Sequence, residues 1–268
     1  MKIPSTVPRI AELQAPPSWR TVDFISDLHL QSAEPATFEA WRHYMESTPA
    51  DAVFILGDLF EVWVGDDIVG TDLAVSPSES DGSFEEHCAR VMGQAAGRLA
   101  LFFMHGNRDF LVGQGLMGLC NTTLLADPTV LDFNHQRWLL SHGDALCLGD
   151  VDYMQFRRQV RSIDWQRAFL AKPLAERQAI ARGLREQSEA RKKSGATYAD
   201  VDSGAALQQL QAAKAHILIH GHTHQPAVHD LGHGYSRVVL SDWDAAAQHP
   251  RAEVLRLTAG GLRRIALL

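Results

Sequence analysis

Five short apolar runs, each ending at an oxygen or imidazole donor, constrain this 268-residue chain more than any other feature. "TVDFIS" (21–26) runs into Asp27, Leu28 and His29. "AVFILG" (52–57) runs into Asp58, "LALFFMHG" (99–106) into Asn107, "RWLLS" (137–141) into His142, and "HILIHG" (216–221) into His222 and His224. Apolar runs of this length, rich in β-branched and aromatic residues, predict strands. In α/β folds, ligands gather beyond the carboxyl ends of strands. Seven side chains are therefore candidates for one cluster: Asp27, His29, Asp58, Asn107, His142, His222 and His224, with no thiolate among them. Taken singly each is ordinary, because an Asp after a strand commonly caps a turn and a lone His commonly packs. The ordered set carries the reading. Two divalent ions about 3.5–4 Å apart need roughly this many ligands when one carboxylate bridges them. Mixed nitrogen and oxygen ligation favours Mn, Fe or Zn over Ca or Mg.

Between the early runs lie helix-like segments near 35–47 and 83–98, and further strands are predicted near 129–133, 136–141, 235–240, 252–257 and 262–267. This order predicts an α/β fold built on a central pair of sheets. At 46% hydrophobic residues, the chain has ample material for a core. A net charge of −7 argues against a general nucleic-acid binder, and no protein partner is inferred. Cys88, Cys120 and Cys147 form neither a C-x-x-C motif nor an even framework, which points to a reducing compartment. Residues 1–20 lack a signal-type apolar stretch and read as a Pro-rich tail, leaving 21–268 as one domain. No run approaches the roughly 18 apolar residues of a membrane span. The expected location is cytoplasmic, at most peripheral to a membrane.

Residues 150–195 differ from the rest. They hold eleven of the chain's 25 Lys and Arg against six acids, a net of +5 that leaves −12 for the remainder. The pattern is helical, and Pro173 divides it into two predicted helices. Phe156, Val160, Trp165, Phe169, Leu170, Leu174, Ile180 and Leu184 are interleaved with arginines, an amphipathic arrangement. Two readings stand: helices docked on the body with a solvated basic face, or a lid that meets an anionic, partly apolar ligand. Elsewhere, His216 and His220 share strand parity and read as packing or supporting histidines. Gly57, Gly106 and Gly221 fit tight turns beside the cluster. Asp144 either orients a ligand histidine or caps a turn. Trp63, Asp66 and Asp67 either line a cleft or form a surface loop.

The ordered set D-x-H, GD, GN, HGD and GHTH resembles the calcineurin-like metallophosphoesterases over about residues 21–240. The resemblance implies a four-layer α/β/β/α sandwich, here with a helical lid insertion at about 150–195. It implies one metal on Asp27, His29, Asp58 and His224 and another on Asp58, Asn107, His142 and His222, with Asp58 bridging. Such a pair lowers the pKa of a bound water and neutralises phosphoryl charge. Hydrolysis of a phosphoester or phosphoanhydride follows, with no covalent enzyme intermediate. Many members carry GNHE, whose histidine protonates a leaving alkoxide, whereas this chain reads "HGNRDF". Arg108 is permanently charged and suits a bidentate phosphate clamp instead. A leaving group already stable as an anion fits this site, which points to a pyrophosphate. "GDLFEVWVGDD" also lacks the GDxVDRG pattern of the protein phosphatases.

A closer resemblance is carried, in order, by "SDLHL", "ILGDLFEVWVGDD", "HGNRDFL", "SHGDALCLGD" and "IHGHTHQPAVH". These segments look like the UDP-2,3-diacylglucosamine pyrophosphohydrolases of lipid A biosynthesis. That group implies two Mn²⁺ ions, water attack on the α-phosphorus of UDP-diacylglucosamine, and release of UMP and 2,3-diacylglucosamine 1-phosphate (lipid X). It implies work at the cytoplasmic face of the inner membrane. By the same resemblance Asp58, Asn107 and Arg108 carry catalysis, and Asn107, Arg108, Asp150, Ser188 and His222 meet the substrate. "SEARKKSG" departs from the Asn- and Ser-rich stretch of some relatives, which makes Arg191, Lys192 and Lys193 candidates for polar contacts there. Phe156, Trp165, Phe169 and Leu170 would cover acyl chains while arginines meet phosphates or anionic lipid. Two alternatives stand beside this reading. One is another metallophosphoesterase acting on soluble nucleotides or dinucleoside polyphosphates. The other is a non-enzymatic scaffold of the same fold, which would be expected to lack several of the seven ligands.

Overall fold

The computed structural model describes residues 10–70, 82–193 and 199–268, with the side chains of 187–193 outside the described set. Ser188, Arg191, Lys192 and Lys193, named above as lid contacts, therefore lie outside the described side chains. The first half runs β1 (Ala11–Gln14), β2 (Thr21–Ile25), α1 (Pro35–Ser47), β3 (Ala52–Leu56), α2 (Phe84–Ala96), β4 (Ala100–Met104), α3 (Gln114–Leu119), β5 (Thr123–Leu125), β6 (Thr129–Phe133) and β7 (Gln136–Leu140). The second runs α4 (Val151–Val160), α5 (Ile163–Leu170), α6 (Leu174–Lys193), α7 (Ser203–Ala213), β8 (Ile217–His220), β9 (Val228–Gly232), β10 (Tyr235–Val239), β11 (Glu253–Thr258) and β12 (Gly261–Ala266).

Strand β3 is buried at all five positions, as an apolar run must be when both faces of its sheet are covered. It lies between β2 and β4, all three parallel, in a six-stranded sheet of order β12-β11-β2-β3-β4-β5. The register sets Phe24 beside Phe54 and Phe54 beside Phe102, with the last two rings stacked at 4.5 Å. This row faces Leu131, Leu140, Ile219 and Val238 of the second six-stranded sheet, β1-β6-β7-β8-β10-β9. The opposite parity of the first sheet, Val53, Ile55, Leu101 and Phe103, packs under α1, α2 and α3. On the far side, Ala206, Leu210 and Ala213 of α7 cover Leu139 and Leu218. The layers are therefore α/β/β/α.

Three elements differ from the sequence reading. Residues 11–14, expected within a tail, form β1, an edge strand parallel to β6 with Ala11 opposite Thr129. Its side chains alternate half-buried and exposed, with Leu13 packed against the core between the sheets and Glu12 paired with Arg137 at 3.0 Å, but four residues are too short a run to stand out as a core strand. The tail reading also fails at Ala15 and Trp19, which pack between the sheets. The lid holds three helices rather than two, because Ser162 starts a new one by accepting from Trp165 N at 3.3 Å. Helix α7 was unassigned in the sequence, though Asp202 caps it by accepting from Ala205 N at 2.7 Å.

Two buried groups pin the lid, beside other contacts. Arg177 of α6, only 2% exposed, donates to Val64 O at 2.6 Å and to Asp67 Oδ1 at 2.8 Å. Asp144, fully buried after β7, accepts from Tyr153 Oη at 2.7 Å and from Arg157 Nε at 2.7 Å, both on α4. Of the two roles read from sequence for Asp144, the structure gives neither; it holds the lid. Asp67 likewise anchors α6. Asp66 accepts from Gly113 N and Leu116 N at 2.9 Å each, at the start of α3, and Trp63 is buried beside it. Among the described residues no helix is long and apolar enough to cross a membrane.

Candidate metal centre

Strands β2, β3 and β4 end side by side in one sheet, and β7 and β8 end side by side in the other. The turns beyond these five ends carry the seven expected side chains. Direction is imposed by the backbone. Asp27, His29, Asp58, His222 and His224 have φ of 56°, 49°, 53°, 68° and 53°. Non-glycine residues rarely adopt this left-handed region, and five of the ten that do so among the described residues belong to this set. Such turns cost on the order of 1–3 kcal/mol each and persist only where surrounding bonds hold them. Here Asp27 N donates to Gly57 O at 3.1 Å, and Leu28 N and His29 N donate to Asp58 O at 2.9 and 3.0 Å.

The side chains form two groups. In the first, His29 Nε2 lies 3.3 Å from His224 Nε2, and His224 Nε2 lies 3.4 Å from Asp27 Oδ1. In the second, Asn107 Oδ1 lies 3.0 Å from His142 Nε2 and 2.7 Å from His222 Nδ1. Asp58 Oδ2 stands between them, 4.0 Å from His29 Nε2 and 3.8 Å from His142 Nε2. Asp27 Oδ2 is satisfied by Ser26 Oγ at 2.6 Å and His222 N at 2.9 Å, whereas buried Asp27 Oδ1 has no hydrogen-bond partner. An orphaned carboxylate oxygen facing an imidazole nitrogen is costly unless a cation completes it. The ring orientations fit the same role. His142 Nδ1 donates to the carbonyl of Leu56 at 2.9 Å, and since a carbonyl can only accept, the neutral ring turns a lone pair on Nε2 toward the cluster. His29 Nδ1 lies 3.0 Å from Glu61 Oε2, a charge contact without hydrogen-bond geometry that leaves Nε2 facing the cluster. This donor set fits one divalent ion on Asp27, His29, Asp58 and His224 and another on Asp58, Asn107, His142 and His222.

The charges are concentrated enough to move titration. Burial raises the Asp27 carboxyl, but His224, His142 and His29 outweigh it and hold it well below the usual carboxylate range. Burial favours neutral His142, yet Asp58, Asp27 and Asp144 carry it up to about 9. His222, desolvated and beside His142, falls to about 4. Asp109 is fully buried, and desolvation together with Asp58 pushes it up to about 7. It accepts from Gly106 N and Leu59 N at 2.8 Å each, tying the loops after β3 and β4 together.

The three glycines admit no side chain. A Cβ at Gly57 would lie 2.5 Å from His142 Nδ1, at Gly106 2.0 Å from Asp58 Oδ1, and at Gly221 2.3 Å from Asp27 Oδ2. His216 is exposed, its ring 5.2 Å from that of Tyr235 at a tilt of 31°, and buried His220 bonds Gly221 O through Nδ1 at 2.9 Å, so neither joins the cluster. Burial pushes the Cys147 thiol up to about 12, leaving it inert.

A cavity of about 950 Å³ opens from the cluster and runs beneath the lid. Its floor holds His29, Asp58, Asn107, His222 and His224. Trp63, Phe110, Phe156, Trp165, Phe169 and Leu184 line its apolar part, and Arg108, Arg157 and Arg161 line its walls. Arg108 N donates to Asp58 Oδ1 at 2.7 Å, which fixes its backbone beside the cluster. Asp150 caps α4 by accepting from Tyr153 N at 3.1 Å and also lines the cavity. Sequence reasoning missed Glu61, Tyr153, Arg157, Arg161 and Arg185. Tyr153 stacks on the His222 ring at 5.9 Å. Glu61 had one signal, its place three residues after Asp58 in the same turn.

Residues 20–226 match the calcineurin-like phosphoesterase family, and the chain belongs to it. Within that class, a UDP-2,3-diacylglucosamine hydrolase of Chromobacterium violaceum is 44% identical over 255 residues, covering 92% of this chain and 98% of its own. Proteins of the same name from Ralstonia nicotianae and Cellvibrio japonicus are 41% and 40% identical, over 90% and 89% of this chain and 90% and 95% of theirs.

Proposed function

We propose that this chain hydrolyses the pyrophosphate bond of UDP-2,3-diacylglucosamine in lipid A biosynthesis, using two Mn²⁺ ions. Water attacks the α-phosphorus, and UMP and 2,3-diacylglucosamine 1-phosphate leave. One observation carries the reading: a single cavity joins the donor cluster at its floor to an aromatic chamber under a basic lid. A substrate with a diphosphate at one end and two acyl chains at the other matches that division. The relatives' name supports the same substrate.

A pair of divalent cations, when bound, supplies Lewis acidity that activates water and offsets phosphoryl charge. The chain's own groups do the rest. Arg157 is committed to Asp144, and Arg161 donates to Gly106 O at 2.8 Å while lying over the Phe110 ring. Arg108 is the wall arginine aimed from the cluster's own turn, and its fork suits two phosphoryl oxygens. The departing sugar phosphate is already stable as an anion, so an arginine can stand where other members place an acid. Trp165 and Phe169, stacked at 4.8 Å, form the chamber's wall and keep water from the acyl chains. Val151 and Ile163 on the lid are 68% and 73% exposed, and the same two helices expose Arg158 and Arg167 along with Asp152 and Asp164. Exposed apolar side chains and arginines on one lid support peripheral attachment to the cytoplasmic face of the inner membrane.

The deciding experiment incubates metal-free protein with UDP-2,3-diacylglucosamine, with and without Mn²⁺, and measures UMP. Mn²⁺-dependent release is expected. Folded, Mn²⁺-binding protein that releases none, yet cleaves a soluble dinucleoside polyphosphate, would overturn the lipid assignment.

A further inference from the structure

Glu61 belongs to neither ligand group, yet it touches a ligand, the arginine clamp and the lid. Its N–H donates to Leu30 O at 3.1 Å, continuing the bridge between Leu30 and Phe60, and this lays it alongside His29. The side chain is 11% exposed. Oε2 lies 3.0 Å from His29 Nδ1. Oε1 lies 3.2 Å from Arg185 Nε on α6 and 3.5 Å from Arg108 Nη1. Arg185 also donates from Nη1 to Gln31 Oε1 at 3.2 Å, so α6 meets the segments after β2 and β3 at one place.

The two oxygens have separable tasks. Oε2 sets a negative charge 3.0 Å behind His29 Nδ1, on the side of the ring away from His224 and Asp58, which Nε2 faces. A carboxylate behind a ligand imidazole fixes its orientation and raises its basicity. Oε1 holds two guanidinium groups that would otherwise repel one another across the cavity mouth. We propose that Glu61 is a positioning residue that couples the lid to the metal centre: the carboxylate that orients His29 is also the one on which Arg185 seats α6. This rests on the metal-centre reading above. Metal on His29 and a seated α6 then favour each other, and by reciprocity each strengthens the other.

The test uses the full chain and Mn²⁺ alone. Mn²⁺ affinity is measured by chelator competition, and α6 seating by amide hydrogen exchange over residues 174–186. In the wild type, Mn²⁺ is expected to slow α6 exchange. Glu61→Gln keeps the shape and removes the charge. It is expected to weaken Mn²⁺ binding about 10–100-fold and to abolish the metal response of α6. Arg185→Gln is expected to abolish the α6 response with a much smaller loss of affinity, and it decides the matter alone should Glu61→Gln fail to fold. Wild-type affinity in Glu61→Gln, or an intact α6 response in Arg185→Gln, overturns the coupling. A wild-type chain that binds no Mn²⁺, or an Asp58→Ala variant that binds it as tightly, overturns the metal-centre reading itself.

Discussion

A single methyl group at Gly106 tests the packing of the whole cluster. A Cβ there would lie 2.0 Å from Asp58 Oδ1, 2.3 Å from Asp58 N and 2.7 Å from Asp58 Cγ. Real Cβ atoms essentially never approach closer than 3.0 Å, so about 1 Å of movement is forced. Gly106 itself lies outside the left-handed region, so the conflict is one of contact and not of torsion. Asp58 cannot simply swing aside, because Oδ1 accepts from Arg108 N at 2.7 Å and Asp109 holds the neighbouring N–H groups. Overpacking of this sort costs about 1–3 kcal/mol, which a domain with a stability of roughly 5–15 kcal/mol survives. Displacing a reacting group by 1 Å costs on the order of 100-fold in rate. Gly106→Ala is therefore expected to fold, to melt a few degrees lower, and to lose about 100-fold in Mn²⁺-dependent UMP release together with part of its metal. Gly118→Ala is the control. Gly118 sits in α3 with nothing within 4 Å of a new Cβ, so it should gain about 0.5–1 kcal/mol and keep its turnover. Gly106→Ala with wild-type turnover and full metal content would refute the argument that this contact shapes the site.

Three further outcomes follow from the same geometry. Arg108→Ala should lower kcat/KM by roughly 10–150-fold, the worth of a charge-assisted contact of about 1.5–3 kcal/mol, with metal content intact; loss of metal would make Arg108 structural. Phe169→Ala removes the partner stacked on Trp165 and should slow turnover of the diacyl substrate while sparing a short soluble pyrophosphate; equal loss on both would refute an acyl-binding lid. Asp144→Asn leaves Arg157 without its buried counter-charge. Because the Arg157 side chain is 20% exposed, the cost should fall near the lower end of the range for such pairs, about 3 kcal/mol, read as a lowered melting temperature; an unchanged melt would show that other contacts hold α4.

The donor cluster was more legible in the sequence than the lid, and the reason is physical. Its Asp, His and Asn side chains each follow an apolar strand run, so residue type and local position suffice to propose them. Glu61, Arg157 and Arg185 act through packing between segments far apart in sequence, as where Arg185 reaches Gln31 across 154 residues. No local pattern marks such a contact. Strand β1 escaped for another reason: a four-residue edge strand with only Ala11 and Leu13 half-buried shows too little alternation to be read. The strained turns mark the same residues by a second route. At Asp27, His29, Asp58, His222 and His224 the backbone is left-handed, a region that glycine enters freely and that Asn, Asp and His tolerate best among the rest. The chain places Asp or His at all five, and the hydrogen bonds to Asp109, Gly57 O and Asp58 O hold the turns after β2 and β3 in place. Five strained non-glycine residues at three strand ends are an arrangement that surrounding structure must hold, and all five belong to the set expected to bind metal.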